Sequence, residues 1–275
     1  MKTIISTVIL LLGSALASAQ APPDPVYMGS ELQLGYSRQT FKMRDLQASP
    51  MLYVANLNGV QLGYTRRTTK NQWGVNLQAG LGDLIAPGLG IRPFKFAPEQ
   101  EQPLWVVPTL YRGQLELDYR RRLSRTRNRT TWVGVGLQET IGYADGLALN
   151  TWAFASTDLR LTYQTRWQFG KRHTLVADVA LPVLAVVSRM PYSNVVSEPD
   201  RSEVATYFGG TRLSTLNRYF SPELSVGYRF ELSRRVGFNV NYRYQYLRYS
   251  EPQLIRTANH NINASILYKF QPKAR

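Results

Sequence analysis

Trp73-Gly74-Val75-Asn76-Leu77-Gln78-Ala79-Gly80-Leu81 is the stretch that decides the fold. Its odd positions are apolar and its even positions are small or polar, the two-residue period of a β-strand with one oily and one wet face. The same alternation returns around Leu32/Leu34/Tyr36, Val60/Leu62/Tyr64, Leu115/Leu117/Tyr119 and Val133/Val135/Leu137. It continues through residues 158–167, 174–181, 223–231 and 236–245, and ends in residues 259–270 (NHNINASILYKF). That makes ten candidate strands and no amphipathic helix, so the chain reads as all-β. Residues 104–111 and 207–216 leave room for an extra hairpin and twelve strands.

The connections alternate in length. Residues 66–71, 121–129, 170–172 and 232–235 are short, whereas 38–51, 82–110, 141–150, 188–221 and 249–257 are long. Short turns at one end and long loops at the other predict an up-and-down antiparallel barrel with an even number of strands.

Composition narrows the class further. The chain has 275 residues, 33 Lys+Arg against 18 Asp+Glu, 44% hydrophobic and 12% aromatic residues, two histidines and no cysteine. This is too aromatic and too regularly patterned for a disordered basic tail. Disulfides and Cys-ligated metals are excluded, and two histidines argue against a multi-histidine centre. No metal or cofactor is expected.

Residues 1–19 read as a secretory signal peptide. Lys2 precedes the apolar run IISTVILLL, and Ala17-Ser18-Ala19 supplies the small-residue cleavage pattern. Residues 20–28 form a proline-rich extended leader, residues 29–270 the barrel, and residues 271–275 a C-terminal tail.

Alternation by itself leaves open whether the oily face looks into a soluble core, as in a secreted sandwich or lipocalin-like binder, or out into lipid. Strand lengths of about 9–14 residues favour a tilted membrane crossing, which needs roughly 9–11. Aromatic residues collect near strand ends on the oily face: Tyr36, Tyr64, Tyr119, Trp167, Tyr228, Phe230, Tyr244, Tyr268 and Phe270. A ring half in hydrocarbon and half in water belongs at such an interface. With the export signal, the loop pattern and the aromatic-ended last strand, the chain resembles bacterial outer-membrane β-barrel proteins. That resemblance implies residence in outer-membrane lipid and recognition of the last strand by the barrel-assembly machinery, although residues 271–275 extend past the terminal aromatic.

The opposite face then supplies the lumen with Glu31, Glu116, Asp118, Asp158, Asp178, Glu223 and Glu231, and with Arg120, Arg160, Arg166, Arg229, Arg243 and Lys269. Near-equal numbers of the two signs predict neutralising ladders that fill a small barrel. A narrow polar conduit is the rival arrangement. The net positive charge gathers in the short turns, including Arg66, Arg67, Arg125, Arg127, Lys171 and Arg235. It suits anionic head groups or a periplasmic partner better than nucleic acid.

No nucleophile–base motif, phosphate-binding glycine loop or metal motif is present. His173 falls in a basic turn, and His260 is in phase with the outward face. The long loops carry the recognition candidates Phe94, Phe96 and Trp105 in a proline-spaced segment, and Tyr192, Tyr207 and Phe208 in another. The expected role is structural or ligand-binding. A narrow pore for small polar solutes and an outer-membrane enzyme acting on lipid or peptide are the alternatives.

Overall fold

The computed structural model describes residues 29–91, 93–94, 102, 104–105, 107–147, 150–190 and 202–270. The expected signal peptide, leader and tail lie outside the described residues. In chain order the strands are β1 (Gly29–Asp45), β2 (Ser49–Arg67), β3 (Asn71–Ile85), β4 (Pro93–Phe94), β5 (Leu104–Trp105), β6 (Thr109–Arg125) and β7 (Arg129–Leu147). Then come β8 (Asn150–Phe169), β9 (His173–Arg189), the short helix α1 (Glu203–Gly209), β10 (Arg212–Thr215), β11 (Tyr219–Phe220), β12 (Glu223–Glu231), β13 (Val236–Tyr249) and β14 (Ile255–Phe270).

Ten of these strands form a closed antiparallel ring in the order β1, β2, β3, β6, β7, β8, β9, β12, β13, β14. The ring closes where β1 pairs with β14, from Ser30 opposite Phe270 to Asp45 opposite Ile255. Closure leaves no barrel strand with an unpaired edge, the condition a sheet must meet in hydrocarbon. The extra strands do not raise the number to twelve. Among the described residues, β4 and β5 pair with each other and not with the barrel sheet. β10 continues the ladder on β9, and β11 continues it on β13, above the shorter β12.

Two connections expected to be long are tight. β1 runs to Asp45 and β2 starts at Ser49, while β7 runs to Leu147 and β8 starts at Asn150. The strands are correspondingly longer than the sequence pattern suggests: β8 has 20 residues, β2 and β7 have 19 each. At about 3.3 Å per residue and a tilt near 45°, such a strand rises roughly 45 Å, against an apolar band of about 25 Å. The barrel wall therefore continues well beyond the lipid at the long-loop end.

The physical reason is an inversion of polarity along single strands. In β1 the outward residues are Leu32, Leu34 and Tyr36, followed by Arg38, Thr40, Lys42 and Arg44, while Phe41 and Met43 turn inward and are buried. β2 repeats this with Tyr64, Leu62 and Val60 outward, then Leu57, Ala55 and Tyr53 inward. β13 moves from outward Phe238, Val240 and Tyr242 to inward Leu247 and Tyr249. In β1, β2 and β13 the inward–outward alternation runs through this point unbroken, whereas in β9 a bulge at Val183 moves the buried set from Ala180 and Pro182 to Ala185 and Val187. What changes is which face meets water, because lipid gives way to solvent outside the wall.

Close packing of the narrow barrel is visible at Gly134 on β7. A Cβ there would lie 2.0 Å from the Tyr119 carbonyl oxygen of β6 and 2.7 Å from the Arg120 Cα. No side chain fits that approach.

Candidate functional site

The lumen is built in three storeys. The lowest, toward the short-turn end, is ionic. Arg120 donates to Asp118 (2.9 Å) and Asp178 (2.6 Å), and Arg160 grips Asp158 through Nε (2.8 Å) and Nη2 (3.0 Å) while reaching Glu223 at 3.3 Å. Arg243 lies 2.7 Å from Glu116 and 3.2 Å from Glu223, Arg229 lies 2.9 Å from Glu31, and Lys269 pairs with Glu231. Every lumen residue named from the sequence projects inward. All but Arg166 meet an opposite charge at these distances; Arg166 instead bonds to the amide oxygens of Gln164 (2.7 Å) and Gln72 (3.2 Å). These groups surround a chamber of about 170 Å³.

The middle storey is a layer of amides around Arg112, a lumen cation the sequence reading missed. Arg112 donates to Gln39 (3.1 Å) and Gln245 (2.8 Å). Asn259 donates to the same Gln39 oxygen (3.1 Å), and Asn261 donates to Gln78 (3.0 Å). Its guanidinium also lies 5.7 Å from the Phe41 ring, placing it at the boundary with the storey above.

The top storey corrects the expectation of a charge-filled lumen. Phe41, Met43, Tyr53, Leu57, Leu84, Leu110, Trp152, Phe154, Val187, Leu247, Tyr249 and Ile255 form one buried apolar cluster inside the long-loop half of the barrel. A cavity of about 30 Å³ lies at its lower edge, between Phe41, Trp152, Phe154 and Leu247 and the polar side chains of Arg112, Ser156 and Gln245, on the scale of a water molecule. One ionic knot pins its upper edge. Arg189 donates to Asp45 at 2.5 Å and to the carbonyls of Glu251 (2.8 Å) and Gln253 (2.7 Å), while Trp152 Nε1 donates to Asp45 at 2.9 Å. Asp45 and Arg189 escaped notice because both stood in segments read as loop or loop boundary.

Arg67 needs a second correction. Read as a solvated turn residue, it is buried in the lumen with its Nη1 3.5 Å from Glu31. β2 extends through Arg67, and its phase puts odd-numbered residues inside.

Outside, the aromatic residues form the bands expected of an interface. Tyr36, Tyr64, Tyr119, Trp167, Tyr228, Phe230, Tyr244, Tyr268 and Phe270 are on the outward face, joined by Trp73, whose ring lies 4.4 Å from that of Tyr119. Both histidines are on this outer wall: His173 Nδ1 is 2.6 Å from the Tyr228 hydroxyl, and His260 Nδ1 is 2.8 Å from that of Tyr242. Neither faces the lumen. Above the apolar band, Arg44, Arg256 and Arg248 stand in register on β1, β14 and β13, forming an outward basic row.

At the long-loop end, Tyr207 and Phe208 sit on α1, their rings 5.3 Å apart, with Phe208 exposed. The Ser202 hydroxyl caps the helix by accepting from the Ala205 N–H. Phe94 and Trp105 belong to the β4–β5 ladder, in which Pro93 pairs with Trp105 and Phe94 with Leu104. Phe96 and Tyr192 lie outside the described residues. Arg218 reaches Glu251 at 2.7 Å, tying the β10–β11 turn to the last loop. The structure thus brings the lumen residues together, while the loop candidates occupy separate small elements.

The barrel resembles the outer-membrane protease OmpT from Escherichia coli, with a TM-score of 0.54 at 10% identity over 88% of this chain and 96% of that one. The fold is that of bacterial outer-membrane β-barrels. The translocator domain of the autotransporter NalP from Neisseria meningitidis aligns over 98% of both chains, at 10% identity and a TM-score of 0.42. No protein-family model matches the sequence, and comparison with curated proteins finds no match.

Proposed function

We propose that the chain is an integral outer-membrane barrel that is closed to ions and solutes and presents its long-loop end as a binding surface. The supporting observation is the buried apolar cluster filling the long-loop half of the lumen. A pore needs a continuous wet path, and here the polar chamber ends at the Arg112 amide layer beneath packed aromatic and aliphatic side chains.

In this reading the signal peptide (1–19) directs export, the leader (20–28) precedes the wall, and the barrel-assembly machinery inserts the chain into outer-membrane lipid. The short-turn end faces the periplasm. The row Arg44–Arg256–Arg248 then meets anionic head groups of the outer leaflet, a favourable contribution of about 1 kcal/mol per charge. Exposed Phe208 on α1 and Leu213 on β10 contribute, with Leu89, Ile91 and Leu216, to the apolar part of the outer surface, where a ligand or partner is recognised.

Planar-bilayer recording tests this directly. The purified protein, shown to be folded by heat-modifiable migration on gels, should give no conductance steps. Stable steps from a folded sample would support the narrow-pore alternative.

A further inference from the structure

At the short-turn end the lumen widens into a second cavity of about 200 Å³. Arg67, Arg166 and Arg229 line both this cavity and the ionic chamber above it, so the two spaces meet at these side chains. Arg125, Arg127 and Lys171 from the adjacent turns complete its wall.

The charges do not balance here. Glu31 takes Arg229 at 2.9 Å and Arg67 at the longer distance of 3.5 Å, both through the same Oε2. Arg166 is held by neutral amides, and no described carboxylate reaches it within salt-bridge distance. Glu231, the acid on the cavity wall, is already matched by Lys269. Arg67 and Arg229 therefore share the Glu31 carboxylate while Arg166 has none within reach, an excess of two positive charges among the three before Asp178, which Gln164 links to Arg166, and the turn residues are counted. Arg67 and Arg229 are not solvated rim groups: their side chains are 4% and 11% exposed. Like charges held this close and this dry need a counter-charge.

We infer that this vestibule binds a doubly charged phosphate-type oxyanion, either free phosphate or the phosphate of a small phosphomonoester. Such a group carries about 1.5–2 negative charges near neutrality, which matches the excess. Its tetrahedral oxygens accept from several guanidinium forks at once, a geometry suited to arginine. A phospholipid head group offers similar chemistry, but its phosphodiester carries one charge and would leave the cluster half-compensated. The inference uses lumen geometry alone and holds whichever compartment the short-turn end faces.

The test is calorimetric titration of the full-length mature protein in phosphatidylcholine nanodiscs with inorganic phosphate, at constant ionic strength set by chloride. Saturable binding is expected, weakened at least tenfold by Arg166→Gln or Arg67→Gln. Arg125→Gln, at the end of β6, removes one charge from the cavity wall but none of the three buried guanidinium groups, and should weaken it about two- to threefold. Arg234→Gln, in the β12–β13 turn and off the cavity wall, should bind as the parent does. Absence of saturable binding overturns the proposal, as does parental affinity in both Arg67→Gln and Arg166→Gln. Loss of the phosphate signal when phosphatidylglycerol replaces part of the phosphatidylcholine overturns it in favour of a lipid head group. A vestibule without phosphate affinity leaves the sealed-barrel reading intact, since conductance is read separately.

Discussion

Replacing Arg160 with methionine removes the centre of the ionic storey while keeping a side chain of similar length. Arg160 makes two bonds to Asp158, at 2.8 and 3.0 Å, and one contact to Glu223 at 3.3 Å. Asp158 is fully buried, and what remains for it is the Tyr219 hydroxyl at 3.0 Å. Glu223 keeps Arg243 at 3.2 Å. The variant therefore strands one carboxylate almost completely and the other partly. Breaking a buried pair from one side costs about 3–5 kcal/mol, most of it the penalty of the charge left behind. The assay is reversible urea unfolding in lipid vesicles, followed by tryptophan fluorescence. The origin of the penalty is checked by the double variant Asp158→Asn/Arg160→Met, in which no charge is stranded at position 158. It should recover at least about 1 kcal/mol relative to Arg160→Met, a non-additivity expected of directly paired groups. A loss below about 1 kcal/mol in the single variant, or strict additivity in the double, would refute the reasoning that the lumen is held by mutual neutralisation.

Two further outcomes follow from packing. Gly134→Ala should destabilise the barrel by about 1–3 kcal/mol through overpacking against β6, whereas Gly113→Ala, whose Cβ meets nothing within 4 Å, should be near neutral in the same unfolding assay. Trp152→Ala should cost about 3–5 kcal/mol from the void in the apolar storey, with an added loss at Asp45. Its bilayer recordings should remain silent, because the Arg112 amide layer below is untouched.

Much of the barrel was legible because lipid imposes a simple code. Within the membrane, residues such as Leu32, Leu34 and Tyr36 must be apolar at every second position, and their partners Glu31 and Gln33 need not be. The ring of ten strands and the inward set of charges follow from that phase. Where the wall leaves the lipid, the code reverses while the backbone continues. Phe41 and Met43 are apolar in the phase that was polar at Glu31, so a reader tracking one oily face sees the pattern end near Arg38 and infers a loop. The apolar storey, the Asp45–Arg189 knot and the tight 46–48 turn were all hidden by this reversal. Arg67 was misplaced for a related reason: a cluster of basic residues looks like a turn, and only the strand phase shows that one of them points into the lumen. The charge excess around Glu31 depends on three strands meeting, β1, β2 and β12, with Arg166 added from β8, and pairwise spacing in the sequence does not reveal it.

The polarity reversal along one strand is the centre of this account, and the absence of cysteine in the chain makes it directly measurable. Single cysteines at Leu34 and Lys42, on the same face of β1, would carry nitroxide labels in liposomes, with collisional relaxation by oxygen compared with that by a water-soluble nickel chelate. Relaxation of the Leu34 label, embedded in hydrocarbon, should be dominated by oxygen, and that of the Lys42 label by the nickel chelate. A Leu34 label relaxed mainly by the nickel chelate, or the same environment at both positions, would contradict it.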